Sequence, residues 1–161
     1  MEPSVKIYHI DNILIEQVAE TKFLGVIITD NLTWDNHIKT VCNDVSKGIG
    51  MICKIRHFIP PGILINLYFT LVHPYFEYCN IVWATNLILS LSKLSNMLKR
   101  TMRVITNFKW NAHTTPIFKN LCVLTLYNIN KFHTGYFMFK VNNTLLQSTS
   151  IGRFLKKYEY S

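Results

Sequence analysis

The chain has 161 residues, 49% of them hydrophobic, and carries 17 Lys and Arg against 9 Asp and Glu, a net charge of +8. One domain is expected at this length. The apolar content, with only five Pro and six Gly, excludes a disordered tail, a fibrous chain or a low-complexity segment.

The charge is uneven. Residues 1–80 hold six Lys/Arg and eight Asp/Glu, whereas residues 81–161 hold eleven Lys/Arg and a single acid, Glu159. An apolar half without a carboxylate between Glu77 and Glu159 points to a polyanion partner, most simply nucleic acid. It also confines any carboxylate-based catalysis to the first half.

From the N-terminus, Val5, Ile7 and His9 alternate with Lys6, Tyr8 and Ile10, Asp11-Asn12 offers a turn, and residues 13–18 resume the β pattern. A third, β-branched run over residues 22–28 is expected to be the buried strand of a small sheet, with Gly25 marking a bulge or a close backbone approach. At residue 33 the period becomes helical. Thr33 is the expected N-cap, and Asp35 complements the helix dipole. Trp34, Ile38, Val41, Val45, Ile49 and Ile52 share one face, opposite Lys39, Lys47 and Lys54, and Pro60-Pro61 ends the helix.

Residues 62–92 carry one formal charge, Glu77, and so resemble a membrane span in composition. On a single helix, however, Asn66, Thr70, His73, Glu77 and Asn80 form a polar stripe opposite Leu64, Leu67, Tyr68, Leu71, Tyr75, Cys79 and Val82. A lipid-facing helix has no reason to keep such a stripe, so a core helix kinked at Pro74 is expected and a membrane span is not. Residues 91–106 place Leu94, Leu98, Met102 and Ile105 on one face and Lys93, Asn96, Lys99, Arg100 and Arg103 on the other. A short helix over 115–121 follows, with Pro116 in its tolerant first turn. The last helix, over 125–146, is apolar almost all round (Leu126, Ile129, Phe132, Phe137, Met138, Phe139, Val141), which favours burial.

The expected fold is therefore α+β and mainly α: a small N-terminal antiparallel sheet of about three strands, then a bundle of about five helices. Residues 1–31 form the β segment, 32–147 the helical bundle and 148–161 a C-terminal tail.

Little of this suggests catalysis. Cys42, Cys53, Cys79 and Cys122 have no CxxC spacing, which favours buried reduced thiols over a zinc site. The opening Met1-Glu2-Pro3 has no basic or apolar leader region, so a cytoplasmic or nuclear location is expected over secretion. There is no GxSxG, Walker loop, HExxH or adjacent acidic pair, and no metal or cofactor is expected. His73 and Glu77 sit one turn apart, as an ordinary helix pair does, and turn and cap chemistry accounts for Asp30 and Asp35. The strongest feature is the basic face Lys93, Lys99, Arg100 and Arg103, extended by Lys109 and Trp110, with Lys39, Lys47 and Lys54 as further candidates. Phosphate contact is its functional reading; a solvated helix face is the plain one.

Four strings occur in order: TKFLGVIITDNLTWDNHIKTVCNDVSKGIGMICKIRHFIP, LYFTLVHPYFEYCNIVWA, LKRTMRVITN and AHTTPIFKNLCVLTLYNINKF. Together they resemble the C-terminal part of the reverse transcriptase of non-LTR retrotransposons, of the jockey-like and LINE-type group, over about residues 5–145. The resemblance implies the thumb and connection that follow a polymerase palm, a region expected to grip a template–primer duplex by its backbone. The family's catalytic carboxylates lie upstream, in an aromatic-x-Asp-Asp palm strand. No Asp-Asp occurs here, and Met1 falls after that place. Without the carboxylates that hold its metal ions, such a polymerase cannot work. The expectation is a truncated fragment of an RNA-directed DNA polymerase, not an enzyme as an isolated chain. At most it would bind a template–primer-like duplex or RNA weakly, non-specifically and in a salt-sensitive way. The alternative is a helical structural or interaction protein with no nucleic-acid role, self-associating through apolar stretches such as Ile27-Ile28 and Phe137-Met138-Phe139.

Overall fold

The computed structural model describes residues 8–10, 13–15, 17–84, 88–143 and 145. The expected Val5–Ile7 stretch, the Asp11-Asn12 turn and the 148–161 tail lie outside the described residues.

Among the described residues, two antiparallel strand pairs precede the helices. Strand β1 (Tyr8–Ile10) pairs with β2 (Ile13–Ile15), and β3 (Glu20–Phe23) pairs with β4 (Val26–Thr29). The run over 22–28 is thus not one strand: it folds back on itself at Leu24-Gly25. Both residues have positive φ, +46° and +82°, the condition for a two-residue turn whose twist matches that of paired strands. Gly25 makes the turn rather than a bulge. Two two-stranded sheets therefore stand where a single sheet was expected. The second hairpin is fastened at both ends of its turn region: the Tyr78 hydroxyl donates to Leu24 O at 2.5 Å, and Ile27 N–H donates to His37 Nδ1 at 3.4 Å.

Helix α1 (Asp35–Ile55) buries Ile38, Val41, Val45, Ile49 and Ile52 along the expected face, with Trp34 packed at its margin. Thr33 does not cap it. Thr33 is occupied in the preceding turn, where its N–H donates to Thr29 Oγ1 at 2.9 Å and its hydroxyl to Asn31 Oδ1 at 2.9 Å. Trp34 takes the N-cap position without a side-chain bond, since its indole has no acceptor to offer the helix N–H groups.

The expected single helix over 62–92 is three: α2 (Pro61–Leu71), α3 (His73–Glu77) and α4 (Asn80–Trp83). Pro74 lies in the first turn of α3, where it needs no N–H partner, so the chain breaks before it, at Val72 (φ −124°). A second break falls at Cys79, whose φ is +51°. Each break resets the face presented to the core. Asn80, expected on the polar stripe, is 1% exposed, while Tyr75 and Val82, expected inside, are exposed. Asn80 is satisfied there: its Nδ2 donates to Phe76 O at 2.8 Å, and its Oδ1 accepts from Asn130 Nδ2 at 2.9 Å. Splitting that one helix turns the expected five into seven among the described residues.

Helix α5 (Ile88–Thr106) buries Leu94, Leu98, Met102 and Ile105 as its periodicity predicts. Helices α6 (Thr115–Asn120) and α7 (Leu126–Asn142) complete the chain. The core lies among α1, α2 and α5 and is closed by Phe76, Trp83, Phe118 and Ile129. Where α1 passes α2, Gly48 permits the approach: a Cβ there would stand 2.8 Å from Leu71 O and from Val72 Cγ2.

The expected burial of α7 does not hold. Only Leu126 and Ile129 are buried, and Phe132, Tyr136, Phe137, Met138 and Phe139 are exposed. The first turns of α7 pack on α3, α4 and α5, and among the described residues nothing covers the rest. Among them, too, no helix is long and apolar enough to cross a membrane.

Candidate nucleic-acid interface

The outward face of α5 does not act as one unit, because its neighbours divide it. Arg100 and Arg103 face a groove of about 600 Å³ together with Arg56 from the end of α1 and Lys109, Phe108 and Trp110 from the loop after α5. Four basic side chains and two aromatic ones thus share this surface, and no carboxylate among the described residues lines it. Lys99 turns to the other flank, into a separate groove with Lys119, Thr125 and Asn128. Lys93 lies near α1, where its ammonium opposes the upward push that burial gives the Cys42 thiol. Ten residues of helix separate Lys93 from Arg103, about 15 Å.

Lys39, Lys47 and Lys54 are exposed on the outer face of α1. Lys47 is neutralised there by Asp44, with Nζ 2.8 Å from Oδ1. Of the eight basic candidates, therefore, three (Arg100, Arg103 and Lys109) meet in one groove.

The loop that carries the aromatics is built from its hydrogen bonds. Asn107 adopts φ +55° and ends α5, and Phe108 N–H reaches back to Arg103 O at 3.1 Å in a Schellman-type closure. A turn follows, with Ala112 N–H on Lys109 O at 3.0 Å. Arg103 Nε donates to Ala112 O at 3.0 Å and staples that turn to the helix. Arg103 is half-buried and holds the loop, while Arg100 and Lys109 are exposed. Trp110, at the turn's tip, is 86% exposed.

Sequence reasoning missed Arg56. The only signal was a basic residue in the last turn before Pro60-Pro61, and nothing in the spacing says that this end of α1 meets the far end of α5. It also missed His133. Glu77 Oε1 lies 3.2 Å from His73 Nε2, the expected helix pair, but His133 Nε2 of α7 stands 3.9 Å from the same oxygen. His73 Nδ1 in turn meets the Tyr68 hydroxyl at 3.2 Å. This cluster ties α3 to α7. Burial holds His73 below its ordinary value more strongly than Glu77 raises it, and His133 adds to the lowering. Asp30 Oδ1 accepts from Asn31 N–H at 2.8 Å, and Asp35 occupies the first turn of α1.

Among the described residues, no three His, Cys, Asp or Glu side chains are grouped to hold a metal ion. Comparison with protein-family models, with curated proteins and with solved structures gives no match to this chain.

Proposed function

We propose that the chain is a nucleic-acid-binding module of the reverse-transcriptase thumb type, which holds a phosphate backbone without reading its sequence. The observation that carries this reading is the groove between the ends of α1 and α5, where Arg56, Arg100, Arg103 and Lys109 converge with no acid among them. Clustered cations release counterions from phosphates on binding, so affinity falls with salt and tolerates any sequence. The ordered strings that resemble those of non-LTR reverse transcriptases agree with such a role. No polymerase activity is assigned to these 161 residues, which contain no Asp-Asp pair. Primer extension with RNA template and Mg²⁺ should give no product, and template-dependent synthesis would overturn that assignment.

The test of binding is fluorescence anisotropy with labelled nucleic acid across a salt series. The wild-type Kd is expected in the micromolar range or weaker and should rise steeply between about 50 and 200 mM salt. Arg56→Ala/Arg100→Ala/Lys109→Ala should remove most of the affinity and flatten the salt slope by up to about three phosphate contacts. Unchanged binding in that variant refutes the groove. Arg103 is left intact in it because Arg103 also holds the loop.

The uncovered half of α7 favours a second reading, a helical interaction protein. Exposed Phe132, Phe137, Met138 and Phe139 form the kind of apolar surface that drives association.

A further inference from the structure

We propose that the groove at the end of α5 takes unpaired bases, so that single-stranded nucleic acid is its ligand in preference to closed duplex. This rests on the reading above and deepens it. A groove for duplex backbone needs cations alone. This one also presents Phe108, 58% exposed, and Trp110, 86% exposed, on the same surface as the basic groups. Neither ring belongs to the core, so both are free to meet a ligand. The turn is nonetheless ordered: Asn107 sets its exit from the helix, and two hydrogen bonds fix it, one of them from a groove arginine.

A pre-positioned aromatic ring beside phosphate-binding cations is the arrangement that stacks a base while holding the adjoining backbone, and every base has a face to stack. In a closed duplex those faces are occupied by neighbouring pairs. A free nucleotide offers the same base-and-phosphate chemistry. The groove is open, however, which suits a strand that runs through it.

The experiment uses the full chain and titrates three ligands: a 20-nucleotide single strand, a duplex of equal charge closed at each end by a non-nucleotide linker, and ATP. Anisotropy at several salt concentrations reads binding of the two labelled nucleic acids. Tryptophan fluorescence reads ATP, and the difference between wild type and Trp110→Phe assigns stacking to Trp110, since Trp83 is fully buried and Trp34 partly so. The single strand should bind about tenfold more tightly than the closed duplex and quench Trp110. Trp110→Ala should lose about that tenfold on single strand alone, with the salt slope unchanged, and Trp110→Phe should retain most of it. An unchanged urea midpoint in both variants confirms that the fold is intact.

Equal, salt-sensitive affinity for strand and closed duplex, indifferent to Trp110→Ala, would overturn the stacking proposal while leaving the basic groove standing. ATP binding as tightly as the strand would overturn the strand as ligand. Absence of salt-sensitive binding to either nucleic acid would remove the groove itself, and the stacking proposal with it.

Discussion

Gly48 and Gly50 sit two residues apart on α1 and have opposite surroundings. A methyl at Gly48 meets backbone, Leu71 O at 2.8 Å, which cannot swing away as a side chain can, whereas a methyl at Gly50 meets nothing within 4 Å. Gly48→Ala should therefore destabilise the fold by about 1–3 kcal/mol. Gly50→Ala should stabilise it by about 0.5–1 kcal/mol, through reduced unfolded-state entropy and better helix propensity. Paired urea titrations decide the matter, and equal effects at the two sites would show that α1 and α2 are not in close contact. The buried histidines make a second prediction at this scale. Burial lowers His37 from its ordinary 6.5, and His73 moves the same way. Below that value the unfolded chain binds protons that the folded chain refuses, so stability rises with pH through this window. The urea midpoint should hold above about pH 7 and fall as pH drops below 6.5 toward the lowered folded values. His37→Gln should reduce that fall, and a profile indifferent to the substitution would remove His37 from it. Ile27 N–H on Nδ1 puts the neutral ring's proton on Nε2, which is buried with no hydrogen-bond partner.

Helix α5 illustrates how an element's end can matter more than its middle. Its core stripe follows from an uninterrupted 3.6-residue period, and the four predicted residues are all buried. Its C-terminus depends on one backbone conformation, the left-handed Asn107, which asparagine and glycine tolerate and β-branched residues do not. Asn107→Val should cost about 1–2 kcal/mol in chemical denaturation, while Asn107→Gly should leave stability nearly unchanged. If the turn after Asn107 presents the groove's aromatics, the valine variant should also weaken nucleic-acid binding. Loss of stability without loss of binding would separate the two. The 62–92 segment was less legible, because its periodicity continues across both chain breaks. Helical spacing measures angles along one axis, and at Val72 and Cys79 the axis changes. For α7 the reason is different. An apolar helix predicts something to bury it, but composition does not say whether this chain supplies it.

At the scale of the whole molecule, the uncovered half of α7 is the surface on which the interaction reading rests. Phe132 and Tyr136 stack at 6.3 Å, and the Lys140 ammonium lies 4.4 Å over the Tyr136 ring, so part of this surface is satisfied within the helix itself. Phe137, Met138 and Phe139 have no such cover. If the interaction reading holds, light scattering after size exclusion should show mass increasing with concentration, and Phe137→Ser/Phe139→Ser should restore a monomer. A clean monomer at all concentrations would argue against that reading. The same variant should leave the salt-sensitive binding at Arg56, Arg100 and Lys109 unaffected, since none of the substituted residues lines that groove.

The sequence by itself determined the class of fold, a small antiparallel β segment followed by helices, and the inner faces of α1 and α5, because those follow from local period and composition. It also located the basic half of the chain. Only the tertiary structure decided which charges meet. It separated Lys99 and Lys93 from Arg100 and Arg103, brought in Arg56 from the other end of the core, and set His133 beside Glu77. The reason is geometric: side chains on one helix are related by a fixed rotation that spacing records, whereas side chains on different helices are related by crossings and chain breaks that no spacing encodes.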